Sequence, residues 1–425
     1  MATASPTAVT DDLHAILQAR ALVAQCTDER ITDRLSRPVA CYCGFDPTAD
    51  SLHVGSLVPI MGLAHAQRCG HQPIVLVGGA TGLVGDPSGK TEARQMLTPE
   101  TIRDNAEAIA KQIGRFVQFG DGPSDAVLVN NLDWIGPLSW LDVLREIGSK
   151  VSVNRMVTME SVKQRMHGDG SGISYLEFSY MLLQAIDFVE LLRRHDCTLQ
   201  LGGQDQWGNI VMGIELGRKL EDADLAGLTF PLVTKSDGGK FGKSESGNIW
   251  LDADRTPVFD FFQFWRNVDD GDVGRYLRYF TFLPIAEIER LEAAEGAEIN
   301  AAKVTLAYEV TKLVHGEDEA TKARDAAAGA FASGTGGPDV TGDAVPHDAL
   351  PGDELSAGVG VMDLIKRAGF ASSNGEARRL IQGGGVRIGD DKVTDIAASV
   401  DASAVTDGYV LLRVGKKKLF RFDVA

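Results

Sequence analysis

Val39-Ala40-Cys41-Tyr42-Cys43, then Gly44-Phe45-Asp46-Pro47, and some 25 residues later Pro73-Ile74-Val75-Leu76-Val77, form the stretch on which the fold turns. The first five residues suit a strand, and the Gly-Phe-Asp-Pro run breaks it. Beginning at His53 or Gly55 and ending at Cys69, the spacing of Leu57, Ile60, Met61, Leu63 and Ala64 gives a helix an apolar face, and Gly70 stops it. Residues 73–77 are a continuous apolar run, the pattern of a parallel strand covered on both faces. Strand, helix and strand within about 40 residues read as a βαβ unit of a doubly wound sheet.

The alternation continues outward from this unit. Residues 126–129 are strand-like, 178–195 helix-like, 198–201 strand-like before Gly202-Gly203, and another helix follows Asn209. Residues 228–234 read as a further strand leading into a lysine-bearing loop. The expected fold class is therefore α/β, a Rossmann-like doubly wound parallel sheet over residues 1–254. Residues 255–331 change to helical periodicity and predict an all-helical domain. Residues 332–357, rich in Gly, Pro, Asp and Ser, predict a flexible linker, and residues 358–425 a small α+β unit.

Composition narrows the function classes. The chain has 425 residues and a formal net charge of −17, which argues against indiscriminate nucleic-acid binding and gives no reason to expect DNA as a partner. That average hides a split: residues 356–425 hold 11 Lys/Arg against 8 Asp/Glu, while the remainder holds 31 against 51. A basic tail on an acidic body predicts a localised contact with a polyanion. No run of about eighteen apolar residues predicts a membrane span, and residues 1–10 carry no secretory pattern, so a cytoplasmic protein is expected. Five cysteines without a Cys-x-x-Cys pair read as reduced thiols, and no protein-bound metal is expected.

Two signatures carry chemistry. Thr48, His53, Gly55 and Ser56 fall between a strand and a helix start, where free backbone N–H groups and the positive end of the helix dipole suit a phosphate. In Lys240-Phe241-Gly242-Lys243-Ser244, two ammonium groups sit in a Gly-rich loop able to fold over a triphosphate, although lysines in such loops are commonly just solvated. Gly85-Asp86-Pro87-Ser88-Gly89-Lys90-Thr91 looks like a P-loop but has three residues between its glycines where that motif needs four, which rules out a Walker-type site. Lys90 and Arg94 can still reach a pyrophosphate from that loop. On the predicted helix over 178–195, Tyr180, Gln184 and Asp187 share roughly a 60° arc on an otherwise apolar surface. A polar stripe on a buried helix needs partners, from an internal network or from a ligand. With Tyr42 and Asp46 at a strand end, the stripe favours a pocket for a small molecule with a polar tip. Asp205, after Gly202-Gly203, is either a ribose acceptor or a helix N-cap, and its place at a second Gly-rich strand end favours ribose.

These stretches, with Gly78-Gly79-Ala80-Thr81-Gly82, Asp133-Trp134-Ile135-Gly136-Pro137, Phe178-Ser179-Tyr180-Met181-Leu182-Leu183-Gln184 and Gly203-Gln204-Asp205-Gln206-Trp207-Gly208-Asn209, resemble in order the bacterial tyrosyl-tRNA synthetases, members of class I of the aminoacyl-tRNA synthetases. His53-Val54-Gly55-Ser56 is similar to the family's His-Ile-Gly-His signature, with Ser56 replacing the second histidine by a shorter donor; the lysine loop is similar to its Lys-Met-Ser-Lys-Ser counterpart. The resemblance implies ATP as a substrate accompanied by Mg²⁺, L-tyrosine, tRNA(Tyr) and a homodimer. It implies Tyr42 and Asp187 on the substrate phenol, Asp86, Tyr180 and Gln184 on its α-ammonium, and Asn131 and Gln206 elsewhere around the amino acid. Cys43 and Asp205 are implied near the ribose, with Gly44, Asp46, Gly55 and Gly203 also on the ATP side, and Thr48, His53, Ser56, Lys90, Arg94, Lys240, Lys243 and Ser244 around the reacting phosphates. It further implies that 255–331 is an anticodon-side domain and that 358–425 is an S-four-like RNA-binding domain, with Lys366, Arg367, Arg378, Arg379, Lys416, Lys417 and Lys418 on tRNA phosphates. Competing readings are a tryptophan-specific relative, a nucleotidyltransferase without tRNA, which would not need the tail, and an RNA-binding protein that has lost catalysis.

Overall fold

The computed structural model describes residues 9–88, 97–167, 172–236, 241–244, 247–296, 298–331, 345–415 and 418–424. Lys90, Arg94, Lys240, Lys416 and Lys417 lie outside the described residues. The chain divides into two compact units, residues 1–255 with 268–302 and residues 256–267 with 303–425.

The first unit is built on a six-stranded sheet. Its strands are β1 (Gln25–Cys26), β2 (Ala40–Phe45), β3 (Gln72–Val77), β4 (Val127–Asn130), β5 (Cys197–Gly203) and β6 (Ala226–Phe230), in the spatial order β1-β6-β5-β2-β3-β4. All neighbours pair in parallel except β1, which runs antiparallel along β6. β3 is buried at every residue, as its unbroken apolar run requires. Chain order reverses between β2 and β5, because β3 and β4 extend the sheet one way and β5 and β6 the other. That reversal opens a crevice at the carboxyl ends of the strands, the place where such sheets bind ligands.

Three helices bring the signatures to this crevice. α1 (Leu57–Arg68) follows a single 3₁₀ turn, Val54–Ser56, directly after β2 and its loop. α2 (Tyr175–His195) starts on a reciprocal cap: Ser174 accepts from the Glu177 N–H while the Glu177 carboxylate accepts from the Ser174 N–H. α3 (Trp207–Glu221) packs along α2 and follows β5 after one 3₁₀ turn, Gln204–Gln206. The strand expected over 228–234 begins two residues earlier and ends at Phe230, because Pro231 has no N–H to continue the ladder. Beyond β6 lie a two-stranded ribbon, β7 (Lys243–Ser244) with β8 (Gly247–Asn248), and the helix α4 (Val273–Phe280).

The helical run expected over 255–331 is shared between the units. Residues 268–302 belong to the first; the helix Val258–Arg266 belongs to the second, where Arg266 donates to the Ala327 carbonyl of the helix Glu317–Phe331 at 3.1 Å. The expected linker also needs correction. Residues 332–344 lie outside the described residues, but β9 (His347–Leu350) pairs in parallel with a C-terminal strand and the helix Gly352–Ala357 follows it. Leu350 and Leu355 are fully buried there, two apolar anchors that the Gly- and Pro-rich composition conceals.

The C-terminal unit adds β10 (Val359–Gly360), α5 (Val361–Arg367), α6 (Asn374–Gln382), β11 (Val386–Ile388), β12 (Asp391–Val393), β13 (Ser399–Val400), β14 (Tyr409–Val414) and β15 (Lys418–Val424). Its five-stranded sheet runs β12-β11-β14-β15-β9. The Ser373 hydroxyl caps α6 by accepting from the Glu376 N–H.

Candidate active site

A cleft of about 740 Å³ occupies the crevice, lined by the ends of β2 and β5, the polar stripe of α2 and the 53–56 turn. Its deep end is acidic. Asp187 is 1% exposed and accepts from Asn131 Nδ2 at 3.0 Å and from Trp134 Nε1 at 2.8 Å. Burial pushes its carboxyl up to about 7, against the pull of those two donors. Beside it, the Tyr42 side chain is buried, its ring edge-on to Phe188, and its hydroxyl has no hydrogen-bond partner among the described residues. Burial, and then the Asp187 carboxylate, raise that phenol well above its usual range. An unmatched buried hydroxyl costs about 1–3 kcal/mol. A ligand hydroxyl placed between it and Asp187 offsets that cost.

The stripe predicted on α2 is therefore real, and part of it is spent on the protein itself. The Tyr180 hydroxyl donates to Asp46 at 2.9 Å, Thr81 donates to the other Asp46 oxygen at 2.7 Å, and Asn131 Nδ2 reaches both Thr81 and Asp187. Asp46, expected on the nucleotide side, thus holds Tyr180 and Thr81. Asn131 is completely buried, its carbonyl accepting from the Ala80 N–H and its amide donating to Asp187. A second chain of bonds lies nearby: Gln206 Nε2 donates to Asp86 at 2.6 Å, and Asn209 Nδ2 donates to both Gln184 and Gln206. Trp134, Thr81 and Asn209 stand in the stretches that carry the family resemblance, but the sequence assigns them no role. Trp134 and Thr81 follow β4 and β3 and Asn209 follows β5 at their carboxyl ends, and that position was the available signal.

The opposite end of the cleft carries the phosphate signatures. The Gly55 N–H donates to His53 Nδ1 at 3.0 Å, so the neutral imidazole keeps its proton on Nε2. A Cβ at Gly55 would lie 2.8 Å from the His53 ring, so a larger residue there would displace the imidazole from this position. Thr48, Ser56 and Trp250 line the same wall, and His53 and Trp250 form a backbone bridge. The lysine loop is tied to this wall by backbone bonds. Val54 N–H donates to the Ile249 carbonyl at 3.0 Å, and Ile249 N–H donates to the Gly242 carbonyl at 2.9 Å. Gly242 has φ +76°, and a Cβ added there would lie 2.7 Å from Val54 Cγ2, so both backbone and space favour glycine. The two signatures, nearly 190 residues apart in the chain, form one wall.

Cys43, Gly44, Gly203 and Asp205 line the middle of the cleft. Asp205 is exposed and does not cap the following turn, and both its partial enclosure and Asp86 push its carboxyl up. Burial pushes the Cys43 thiol up to about 12, which leaves it protonated and unfit as a nucleophile. Among the described residues, no cluster of three His, Cys, Asp or Glu side chains is arranged to hold a metal, and no helix is long and apolar enough to cross a membrane.

The family model for class I tRNA synthetases (W and Y) matches residues 34–332, and that for the tyrosine–tRNA ligase SYY-like C-terminal domain matches 344–422. A tyrosine–tRNA ligase of Desulfosudis oleivorans is 47% identical over 425 residues, covering 95% of this chain and 96% of the relative. This chain belongs to the tyrosine–tRNA ligase family. Another tyrosine–tRNA ligase, from Novosphingobium aromaticivorans, is 49% identical over 408 residues, covering 95% of this chain and 96% of the relative. Among solved structures, a C-terminally truncated mitochondrial tyrosyl-tRNA synthetase of Aspergillus nidulans superposes with a TM-score of 0.65 at 33% identity, covering 74% of this chain and 92% of that one. A tryptophanyl-tRNA synthetase of Encephalitozoon cuniculi, 14% identical with a TM-score of 0.52, shares the fold alone.

The titration of Asp187 gives a pH prediction. Its carboxyl is raised, so as pH falls through about 7 the free protein takes up a proton there and loses the ionised acceptor for a ligand hydroxyl. Tyrosine affinity is expected to be full above pH 7 and to weaken by up to about tenfold per unit below it, with phenylalanine binding unaffected. Calorimetric titration of both amino acids across this range checks it.

In the C-terminal unit, Arg378 and Arg379 are exposed on α6. Lys366 and Arg367 on α5 are ion-paired with Asp363 at 2.9 Å and Glu354 at 2.7 Å, and Lys418 lies over the Phe370 ring.

Proposed function

We propose that the cleft joins L-tyrosine to ATP, giving tyrosyl-adenylate and pyrophosphate, and that the tyrosyl group then passes to a terminal ribose hydroxyl of tRNA(Tyr). The observation that carries this reading is the unmatched Tyr42 hydroxyl beside the buried Asp187, at the far end of one cleft from the His53 wall. A substrate phenol donates to the Asp187 carboxylate and accepts from Tyr42, which places its carboxylate toward the middle of the cleft. Asp86, Tyr180 and Gln184 face its ammonium group, Gln206 its carboxylate, and Asp205 and Cys43 the ribose.

The substrate carboxylate is already ionised, so no protein nucleophile or general base is required. It attacks the α-phosphorus, the bond to the β-phosphate oxygen breaks, and pyrophosphate leaves. The protein contributes alignment and donors for the growing negative charge: His53 Nε2–H, the Thr48 and Ser56 hydroxyls, the N–H groups at the start of α1, and the lysines of the two loops. Magnesium enters bound to ATP, as part of the nucleotide substrate. Tyrosine-dependent exchange of pyrophosphate into ATP, followed by charging of a tRNA mixture, tests both half-reactions; exchange driven equally by tryptophan would reject the reading.

The partner surfaces follow similar reasoning. Of eleven large apolar side chains exposed among the described residues, ten fall between Leu128 and Leu176, including Trp140, Leu141 and Tyr175. A concentration of this kind marks an interface, and a homodimer through it is the proposed assembly. A protein that sediments as a monomer at micromolar concentration would remove this part of the proposal. Arg378 and Arg379, with the basic balance of the tail, are the proposed tRNA backbone contacts, and the cytoplasm, where tRNA is charged, is the proposed setting.

A further inference from the structure

A buried polar cluster of the first unit that the mechanism does not use lies against residues 234–236, which lead toward the lysine loop. Asp272, the N-cap residue at the start of α4, and Tyr276 and Phe280 within it are spaced i, i+4, i+8 and so share one face, and none is more than 2% exposed. This face holds the backbone that enters the loop. Asp272 Oδ2 accepts from the Ser236 N–H at 3.0 Å, while the Thr234 carbonyl accepts from Arg275 Nη2 at 2.6 Å and from the Tyr276 hydroxyl at 3.3 Å. The single Tyr276 O–H is shared between that carbonyl and Asp272 Oδ2, 3.3 Å from each, and Arg275 also donates to Asp272, which ties these contacts into one cluster. The same face holds the residue at which the described loop resumes. The Phe241 ring stacks on Phe280 at 5.6 Å, with planes 8° apart, and meets Tyr276 at 5.0 Å.

The other end of the helix is fixed to the body of the unit. The Arg20 guanidinium, 6% exposed, donates to the Arg278, Thr281 and Leu283 carbonyls at 3.2, 2.7 and 2.7 Å, covering groups that a helix C-terminus leaves without partners. Phe241 is followed directly by Gly242, which touches Val54, and then by Lys243.

We propose that the Asp272–Tyr276–Phe280 face of α4 is the positioning element of the activation step, setting where Phe241 and Gly242 lie against the Val54–Gly55 turn and hence where Lys243 meets the phosphates. These residues touch no reacting atom. They act through Phe241 and the Thr234–Ser236 backbone, and the inference rests on the adenylate-forming reading given above.

The test is single-turnover adenylate formation by the full chain, with the tyrosine dissociation constant measured in parallel. Phe280→Leu removes the stacked ring and is expected to slow adenylate formation roughly ten- to a hundredfold, the scale of a misplaced catalytic group. Tyr276→Phe removes only the hydroxyl and is expected to slow it several-fold. Tyrosine affinity stays within twofold of wild type in both variants, because the Asp187 end of the cleft is untouched, and Phe280→Tyr restores most of the rate. Rates within twofold of wild type in both variants, or a loss of tyrosine affinity in step with the rate, would overturn the proposal. If Phe280→Leu does not fold, Tyr276→Phe alone decides by the same criteria. A wild-type protein without tyrosine-dependent activity would instead count against the functional reading itself, so the two failures are distinguishable.

Discussion

Asp187→Asn is expected to lower kcat/KM for tyrosine roughly 10²- to 10³-fold and to leave the low activity with phenylalanine unchanged. The substitution keeps the shape of the side chain and removes its charge. A hydrogen bond to a charged group is worth about 1.5–3 kcal/mol. The new amide also turns an N–H₂ toward the Asn131 or Trp134 donor, or toward the substrate, so one donor is left facing another. Together these effects reach about 3–4 kcal/mol, and each 1.36 kcal/mol is tenfold in rate. The measurement is the ratio of kcat/KM for the two amino acids. A ratio equal to that of the wild type would mean that Asp187 does not read the phenol.

His53→Ala produces the complementary pattern, with tyrosine affinity kept and adenylate formation slowed about 10²- to 10³-fold. This is the usual cost of removing one preorganised donor to developing charge. The expectation depends on the tautomer. Because the Gly55 N–H occupies Nδ1, the neutral ring presents Nε2–H as a donor, and alanine presents nothing. The substituted protein also loses the contact between His53 and Trp250, whose rings lie 6.3 Å apart, so a thermal melt accompanies the kinetics as a control on the wall itself. Rapid-quench measurement of adenylate formation at saturating tyrosine separates the step from binding. An unchanged rate constant would remove His53 from the chemistry.

Both substitutions act on residues that could be found without coordinates. Tyr180, Gln184 and Asp187 share an arc at helical spacing, and β3 is a parallel strand whose burial on both faces shows as the apolar run over 73–77. What surrounds them could not be read in the same way. The donors to Asp187 come from residues 53 and 56 positions away, brought in by the pairing of β4 with β3. Tertiary pairing sets such contacts, and no local period records them.

The same cause accounts for the differences in the fold. β1 is two residues long and exists because Gln25 and Cys26 lie along Thr229 and Leu228. β9, inside the stretch expected to be a linker, exists because β15 offers it an edge. Ala226-Gly227 has little intrinsic preference for a strand, yet it begins β6 inside the sheet, where its neighbours exclude water. Asp46 and Asn131 also carry hydrogen bonds within the fold that the sequence does not show. At sequence level a polar residue at a strand end points to a ligand, whereas in the fold its hydrogen bonds are satisfied by Thr81, Tyr180, Ala80 and Asp187. The face of α4 that meets residues 234–236 is an intermediate case. Its i, i+4, i+8 spacing is visible in the chain, but its partner is not.

In the proposed function one cleft reads a phenol at its acidic end and an ATP phosphate at the His53 wall. The most direct test is a crystal structure of the full chain with a non-hydrolysable tyrosyl-adenylate analogue. The expected result is a phenolic oxygen within hydrogen-bonding distance of both Tyr42 Oη and Asp187, and a phosphate-mimicking group facing His53 Nε2. An analogue bound in the reverse direction, or with its phenol in solvent and Tyr42 Oη still unmatched, would contradict it.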